Sequence, residues 1–183
     1  FDPNDKLVDP VGHGPEGAVD IDTEWLDYTI RFQNTGTDTA FSVVLVDQLS
    51  DALDPASMEI LGTSHDLSQI VIDATGELQF RFEPILLPDS GANMAGSNGY
   101  VRYRIRPVDG LPSGTVITNT AAIHFDLNYP VITNTVVNTL IDCDLFEATI
   151  TDLSVDLLQA SEAVSYQWYL NGTLIGGATQ QSF

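Results

Sequence analysis

The chain has 183 residues, 43% of them hydrophobic, enough for one ordinary domain with a real core and part of a second, which excludes wholesale disorder. Twenty-six acidic residues face six basic ones, a formal charge of −20 that repels phosphate backbones, so nucleic acid and anionic membranes are poor partners. No apolar run approaches the ~18 residues of a membrane-spanning helix, so direct membrane insertion is not expected.

Taken in chain order, the periodicity is that of strands. The chain opens abruptly on "FDPNDK", with the single lysine, Lys6, near the first strand, and it stops abruptly at "QQSF"; both ends read as cut from something longer. In "WLDYTIRFQNTG", Leu26, Tyr28, Ile30 and Phe32 point one way and Asp27, Thr29, Arg31 and Gln33 the other. This period of two is that of a half-buried antiparallel strand. Further strands are predicted over 41–48, 57–62 and 69–73, with a short helical turn at 49–57. "ELQFRF" buries Leu78, Phe80 and Phe82, and "YVRYRIRPV" buries Val101, Tyr103 and Ile105. Strands over 115–125 and 131–140 complete the set, adding Ile123 and Phe125 to the core. Gly-, Pro-, Asn- and Asp-rich turns separate these elements, as in "NTGTD", "DATG", "DGLPSG" and "LNYP". The predicted fold class is all-β, an antiparallel immunoglobulin-like β-sandwich over residues 1–142.

Near 141–144 the pattern changes. "SYQWYLNGTLIGG" reads strand, Asn-Gly turn, strand, a strong hairpin signal with Trp168 in a core position. Forty residues are few for an independent sandwich, so residues 143–183 read as the opening of a truncated second β module. The lone Cys143 is either a buried free thiol or the partner of a cysteine outside this sequence; the apparent truncation favours the latter.

Three of the six basic residues, Arg102, Arg104 and Arg106, occupy alternate positions of one strand. They form a ladder on its solvent face, opposite such residues as Arg31, Arg81, Asp27 and Glu83, and the favoured reading is a paired, edge-protecting face. The competing reading is a docking strip for an anionic partner.

The motifs "YTIRFQNTGTDTAFSVVLVDQLSDALD", "GYVRYRIRP" and "GLPSGTVITNTAAIHFDLNYPVITNT", in that order after "FDPNDK", resemble the conserved-repeat β-sandwich modules of bacterial surface proteins exported by the type IX secretion route. The resemblance covers roughly residues 1–142, and "SYQWYLNGTLIGGATQQSF" is similar to immunoglobulin-like or PKD-like modules of the same proteins. It implies a secreted, cell-surface, multi-domain and non-enzymatic setting. The implied partners are neighbouring domains of the same chain, other surface-protein subunits and, in transit, the secretion machinery.

Chemistry is sparse. His13, His65 and His124 are scattered, and no phosphate loop, nucleophile elbow or His/Cys metal motif occurs, so no catalytic residue is predicted. Calcium is the one cofactor the sequence offers: Asp2, Asn4 and Asp5 in "FDPND" and Asp126 and Asn128 in "FDLN" supply hard oxygen ligands. The alternative is that they form turns, where Asp and Asn bond the local backbone. Some surface-protein sandwiches also carry an internal Lys–Asn isopeptide bond beside a buried acid. Here the pair would be Lys6 and Asn119, the latter on the inward parity of Ile117, Ala121 and Ile123, although no strand shows an obvious inward acid. The plainer alternative is an ordinary ion-pairing lysine and a hydrogen-bonded core asparagine. Asp38-Thr39-Ala40 resembles the Asp-Thr-aliphatic O-glycosylation signal of the same secreted proteins, with Thr39 as acceptor in an exposed turn.

The expected function is therefore a structural spacer that supports adhesion or surface assembly. The alternatives are a calcium-dependent or glycan-binding adhesion module, and an accessory domain of a secreted enzyme.

Overall fold

In the computed structural model, the residues described are 3–142, 150–154, 157–160, 166, 168–171 and 173–182; Asp2 and Cys143 lie outside them. The chain forms two compact units, Phe1–Ile141 and Asp142–Phe183. The first contains β1 (Asp5–Asp9), β2 (Ala18–Asp20), β3 (Leu26–Gln33), β4 (Val43–Gln48), β5 (Leu53–Thr63), β6 (Gln69–Ile72), β7 (Glu77–Phe82), β8 (Asn98–Pro107), β9 (Val116–Asn119), β10 (Ala121–Phe125), β11 (Val131–Ile132) and β12 (Val136–Ile141).

The strands form three sheets, ordered β1-β3-β8-β5, β11-β10-β4-β7-β6 and β2-β12-β9. The inward residues of the first two meet face to face. Phe32 packs on Phe82 with ring centroids 5.5 Å apart, and Phe80 on Tyr103 at 5.4 Å. The alternation read from the sequence is realised: Leu26, Tyr28, Ile30, Phe32, Leu78, Phe80, Phe82, Val101, Tyr103, Ile105 and Ile123 are all buried, and Phe125 packs partly buried against them. Burial of these large side chains away from water is the dominant favourable contribution.

Three expectations are corrected. The helical turn at 49–57 is instead a tight turn at 51–52 followed by extended β5. Ser50 Oγ accepts from the Ala52 N–H (3.2 Å) and Asp54 Oδ1 from the Ala56 N–H (3.0 Å), so side chains take the donors that a helix would use. The stretch 115–125 is not one strand: it breaks at Thr120, and β9 and β10 join different sheets. The antiparallel pairing expected holds throughout the first two sheets, and in the third a three-residue β2 runs parallel to β12.

The arginine ladder is also not an edge. β8 lies between β3 and β5, and its arginines answer acids that precede or belong to β3: Arg102 Nη2 and Arg104 Nε lie 2.9 and 3.3 Å from Asp27, and Arg106 Nη2 lies 2.7 Å from Glu24. The Arg106 and Arg104 guanidinium carbons stand 4.3 and 5.1 Å from the Trp25 ring centre, so the indole is clasped by two cations. Arg81 belongs to the other sheet, where it donates to Gln79.

Gly99 shows why β8 needs a residue without a side chain. It pairs with Phe32 across the strands, and a Cβ there would sit 2.2 Å from Phe32 Cζ. Gly99→Ala is expected to displace the packed Phe32 ring and to lower the unfolding free energy by about 1–3 kcal/mol, the usual cost of overpacking. Urea unfolding with an unchanged midpoint would show that the ring has room to move.

In the second unit, β13 (Ile150–Ser154) pairs with β14 (Leu157–Ala160), and β15 (Tyr169–Leu170) with β16 (Thr173–Leu174). Asn171 has the positive φ (50°) required between the strands of a tight hairpin, and Trp168 is buried with its indole N–H donating to the Gln180 carbonyl at 2.8 Å.

Candidate functional site: a buried lysine, carboxylate and carboxamide

β1 buries alternate residues, and Lys6 and Val8 point inward while Leu7 and Asp9 point out. The Lys6 backbone is clamped by one side chain: Asn134 Oδ1 accepts from the Lys6 N–H (3.0 Å) and Asn134 Nδ2 donates to the Lys6 carbonyl (2.9 Å). This amide imitates a neighbouring strand on the open side of β1 and fixes the stem of the lysine.

The Lys6 side chain ends in the middle of the sandwich, with no exposed surface. Its Nζ is hydrogen-bonded to Asp47 Oδ2 and lies 3.4 Å from the Tyr103 hydroxyl. The Tyr103 hydroxyl donates to the same Asp47 oxygen at 2.5 Å. Asn119 Nδ2 donates to the Tyr103 hydroxyl at 3.3 Å. Nζ also lies 5.0 Å from the centre of the Tyr28 ring. Lys6, Asp47 and Tyr103 are wholly buried, and Tyr28 and Asn119 expose 1% and 2%. A single hydroxyl thus joins an amine from β1, a carboxylate from β4 and a carboxamide from β9.

Two oxygens of this cluster, Asp47 Oδ1 and Asn119 Oδ1, have no hydrogen-bond partner among the described residues. Buried polar atoms are nearly always satisfied, so two orphans in one cluster mark an unusual environment. Burial lowers the Lys6 pKa to about 8 from 10.5, against the opposing pull of Asp47. Burial, then the Asp47 charge, pushes the Tyr28 and Tyr103 phenols above their ordinary 10.0. Charges are disfavoured here, so the amine is inclined to give up its proton.

The inward parity expected of Asn119 is realised, as β9 buries Ile117 and Asn119. Lys6 is not a surface ion-pairing residue. The acid that the sequence reading did not find is Asp47. Its signal was present: in "VVLVDQ" it shares the parity of Val43 and Leu45, both buried.

The other candidates are dispersed. Asn4 Oδ1 accepts from the Gln33 N–H at 3.0 Å, and Asp5 pairs with Arg31. Asp126 Oδ1 accepts from the N–H groups of Phe41 (2.9 Å) and Ser42 (2.8 Å), and Asn128 is exposed in the following turn. These oxygens serve local structure. No group of three or more His, Cys, Asp or Glu placed to hold a metal occurs among the described residues. Thr39 is half-buried, beside the buried Ala40, with its N–H on Asp38 Oδ1 at 2.7 Å.

The sequence model of one family, a domain of unknown function (DUF7619), matches residues 2–139. The chain belongs to the DUF7619 family. No curated protein matches it. Among solved structures, this DUF7619 chain is similar to the N-terminal domain of the Streptococcus gordonii adhesin Sgo0707, with TM-score 0.55 and 19% identity over 76% of this chain and 33% of that one. It is also similar to the C-terminal domain of the Streptococcus agalactiae AgI/II polypeptide BspA, with TM-score 0.55 and 18% identity over 85% and 52% of the two chains. The C-terminal domain of the Streptococcus pyogenes antigen I/II-family protein AspA gives TM-score 0.52 and 14% identity over 84% and 54%. The DUF7619 chain spans about a third to a half of the length of these proteins. Identities this low establish the fold, an all-β sandwich of the kind found in surface adhesins.

Proposed function

We propose that this DUF7619 domain is a non-enzymatic structural module of a secreted, multi-domain cell-surface protein, supporting adhesion or surface assembly by holding spacing between neighbouring modules. The observation that carries this reading is the fold likeness to adhesin domains over most of the chain. The excess of acid, a formal −20, suits a module that stays soluble and repels its neighbours outside the cell. The order of the sequence motifs supports export by the type IX route.

Antibody raised against residues 1–141 is expected to label intact cells that make the full-length protein, and in-frame deletion of that segment is expected to weaken their attachment while the remainder is still exported. Protein retained inside intact cells would overturn the reading.

A further inference from the structure

We propose that Lys6 and Asn119 become joined by an intramolecular isopeptide bond, formed autocatalytically with Asp47 as the proton carrier. This goes beyond the role of surface module and stands independently of it, because it rests on the interior of the sandwich alone.

The cluster holds the three groups that such a condensation needs: an amine nucleophile, a carboxamide electrophile and a carboxyl group to move protons. The Lys6 amine and the Asn119 amide both lie within hydrogen-bonding distance of one oxygen, the Tyr103 hydroxyl, at 3.4 and 3.3 Å. Their separation is therefore at most that of two hydrogen bonds through a shared atom. Both are held on strands, β1 and β9, inside a packed core, which keeps the two groups close to one another. Asp47 binds the amine directly and the hydroxyl at 2.5 Å.

The bland alternative is a buried ion pair left as it stands. That arrangement keeps a charged amine and a carboxylate away from water and leaves Asp47 Oδ1 and Asn119 Oδ1 unpartnered. Proton transfer from Lys6 to Asp47 removes both charges and yields a neutral amine. It also gives Asp47 an O–H, the kind of donor that a carboxamide oxygen such as Asn119 Oδ1 lacks here.

The step balances. The neutral Lys6 Nζ attacks Asn119 Cγ and forms the new C–N bond. The Nζ–H proton passes to the Asp47 carboxyl, which returns a proton to Nδ2. The Cγ–Nδ2 bond breaks and ammonia leaves. A primary amine and a primary amide have become a secondary amide and ammonia, with no oxidant, reductant or outside reactant.

Asn119 is chosen over the other buried asparagine with an unpartnered oxygen, Asn138, because Asn138 Nδ2 is committed to the Pro10 carbonyl (3.0 Å), away from the lysine. The bond would tie β1 covalently to β9, so tension on the chain would meet a covalent link before it could peel away the edge strand β1.

Mass spectrometry of the whole folded chain, denatured only for measurement, decides the matter. The expected mass is lower than the sequence mass by one ammonia, with a peptide containing Lys6 joined to one containing Asn119 after digestion. Asn119→Ala and Asp47→Asn are expected to restore the full mass expected for each sequence, with a β-type circular dichroism spectrum showing that each has folded. A full-mass wild-type chain would overturn the proposal. So would loss of one water, which would mean a Lys6–Asp47 link, or loss of ammonia confined to one uncross-linked peptide. A folded Asp47→Asn chain that still forms the bond would overturn the role given to Asp47. If neither variant folds, the joined peptide in the wild-type digest still decides for or against the bond.

Discussion

Asp47→Ala, made in the Asn119→Ala background so that the lysine has no amide to join, is expected to lower the unfolding free energy by about 3–5 kcal/mol. The side chain it removes lies with Lys6 in a region that exposes neither. Without it the Tyr103 hydroxyl is the hydrogen-bond partner left to the ammonium among the described residues, and either a poorly compensated buried charge or its forced deprotonation destabilises the fold. Replacing both members, Lys6→Met with Asp47→Leu, is expected to cost much less, because apolar groups of similar size suit the site. Urea midpoints of the single and double variants, compared at equal slope, measure this, and equal losses in the two would overturn it.

The same free-amine background carries a pH dependence. The Lys6 pKa is about 8 in the folded chain and 10.5 when unfolded, so between these values the unfolded chain binds more protons and stability rises with pH. The cost of the charged amine is fully present below about 8 and is relieved toward 10.5. Tyr28 and Tyr103 act in the opposite sense: their phenols are raised in the fold, so the unfolded chain loses protons first from about 10 upward and stability falls. Asp47 faces all three groups from β4. Stability is therefore expected to climb from about pH 8 to a maximum near pH 10, measured by denaturant unfolding, and a flat profile would overturn the assignment.

Phe80→Ala is the other large expected loss, about 3–5 kcal/mol, on the scale of a whole domain's stability of ~5–15 kcal/mol. Phe80 has no exposed surface and joins the two sheets through its contact with Tyr103, and Ile70 and Leu45 flank it as its partners across β6 and β4. Its removal opens a cavity in the middle of the sandwich beneath the lysine cluster. Neighbouring strands hold their backbones by ladder hydrogen bonds and cannot collapse to fill it. Leu127→Ala, in a turn where the side chain is fully exposed, serves as the control with an expected change within ~0.5 kcal/mol. Thermal and urea unfolding of the two variants measure the contrast, and a Phe80→Ala loss below ~1 kcal/mol would mean that the sheets do not close over this ring.

How much was legible follows from the range of each interaction. Tyr28, Ile30 and Phe32 could be placed inward because the period-two pleat is local, and the Asn-Gly hairpin because a tight turn needs a positive φ at that point. The break at Thr120 was not legible, since alternation continues across it while the hydrogen-bonding partners change sheet. The turn at 51–52 was hidden because Asp, Ala and Leu also fit a helical turn, and pairing with β8 decided for extension. Parity alone marked Asp47 as inward, but a charged residue on an inward parity is read as an exception unless its partner is known. That partner, Lys6, lies 41 residues earlier.

By itself the sequence determined the all-β class, the inward face of each main strand and the strongly acidic surface, because side-chain alternation and charge are properties of short stretches. The tertiary structure alone decided that the single lysine, one aspartate and one asparagine meet in the buried interior. Strands far apart in the chain must pack face to face before their inward polar groups can find one another. No local pattern encodes which two inward faces will meet.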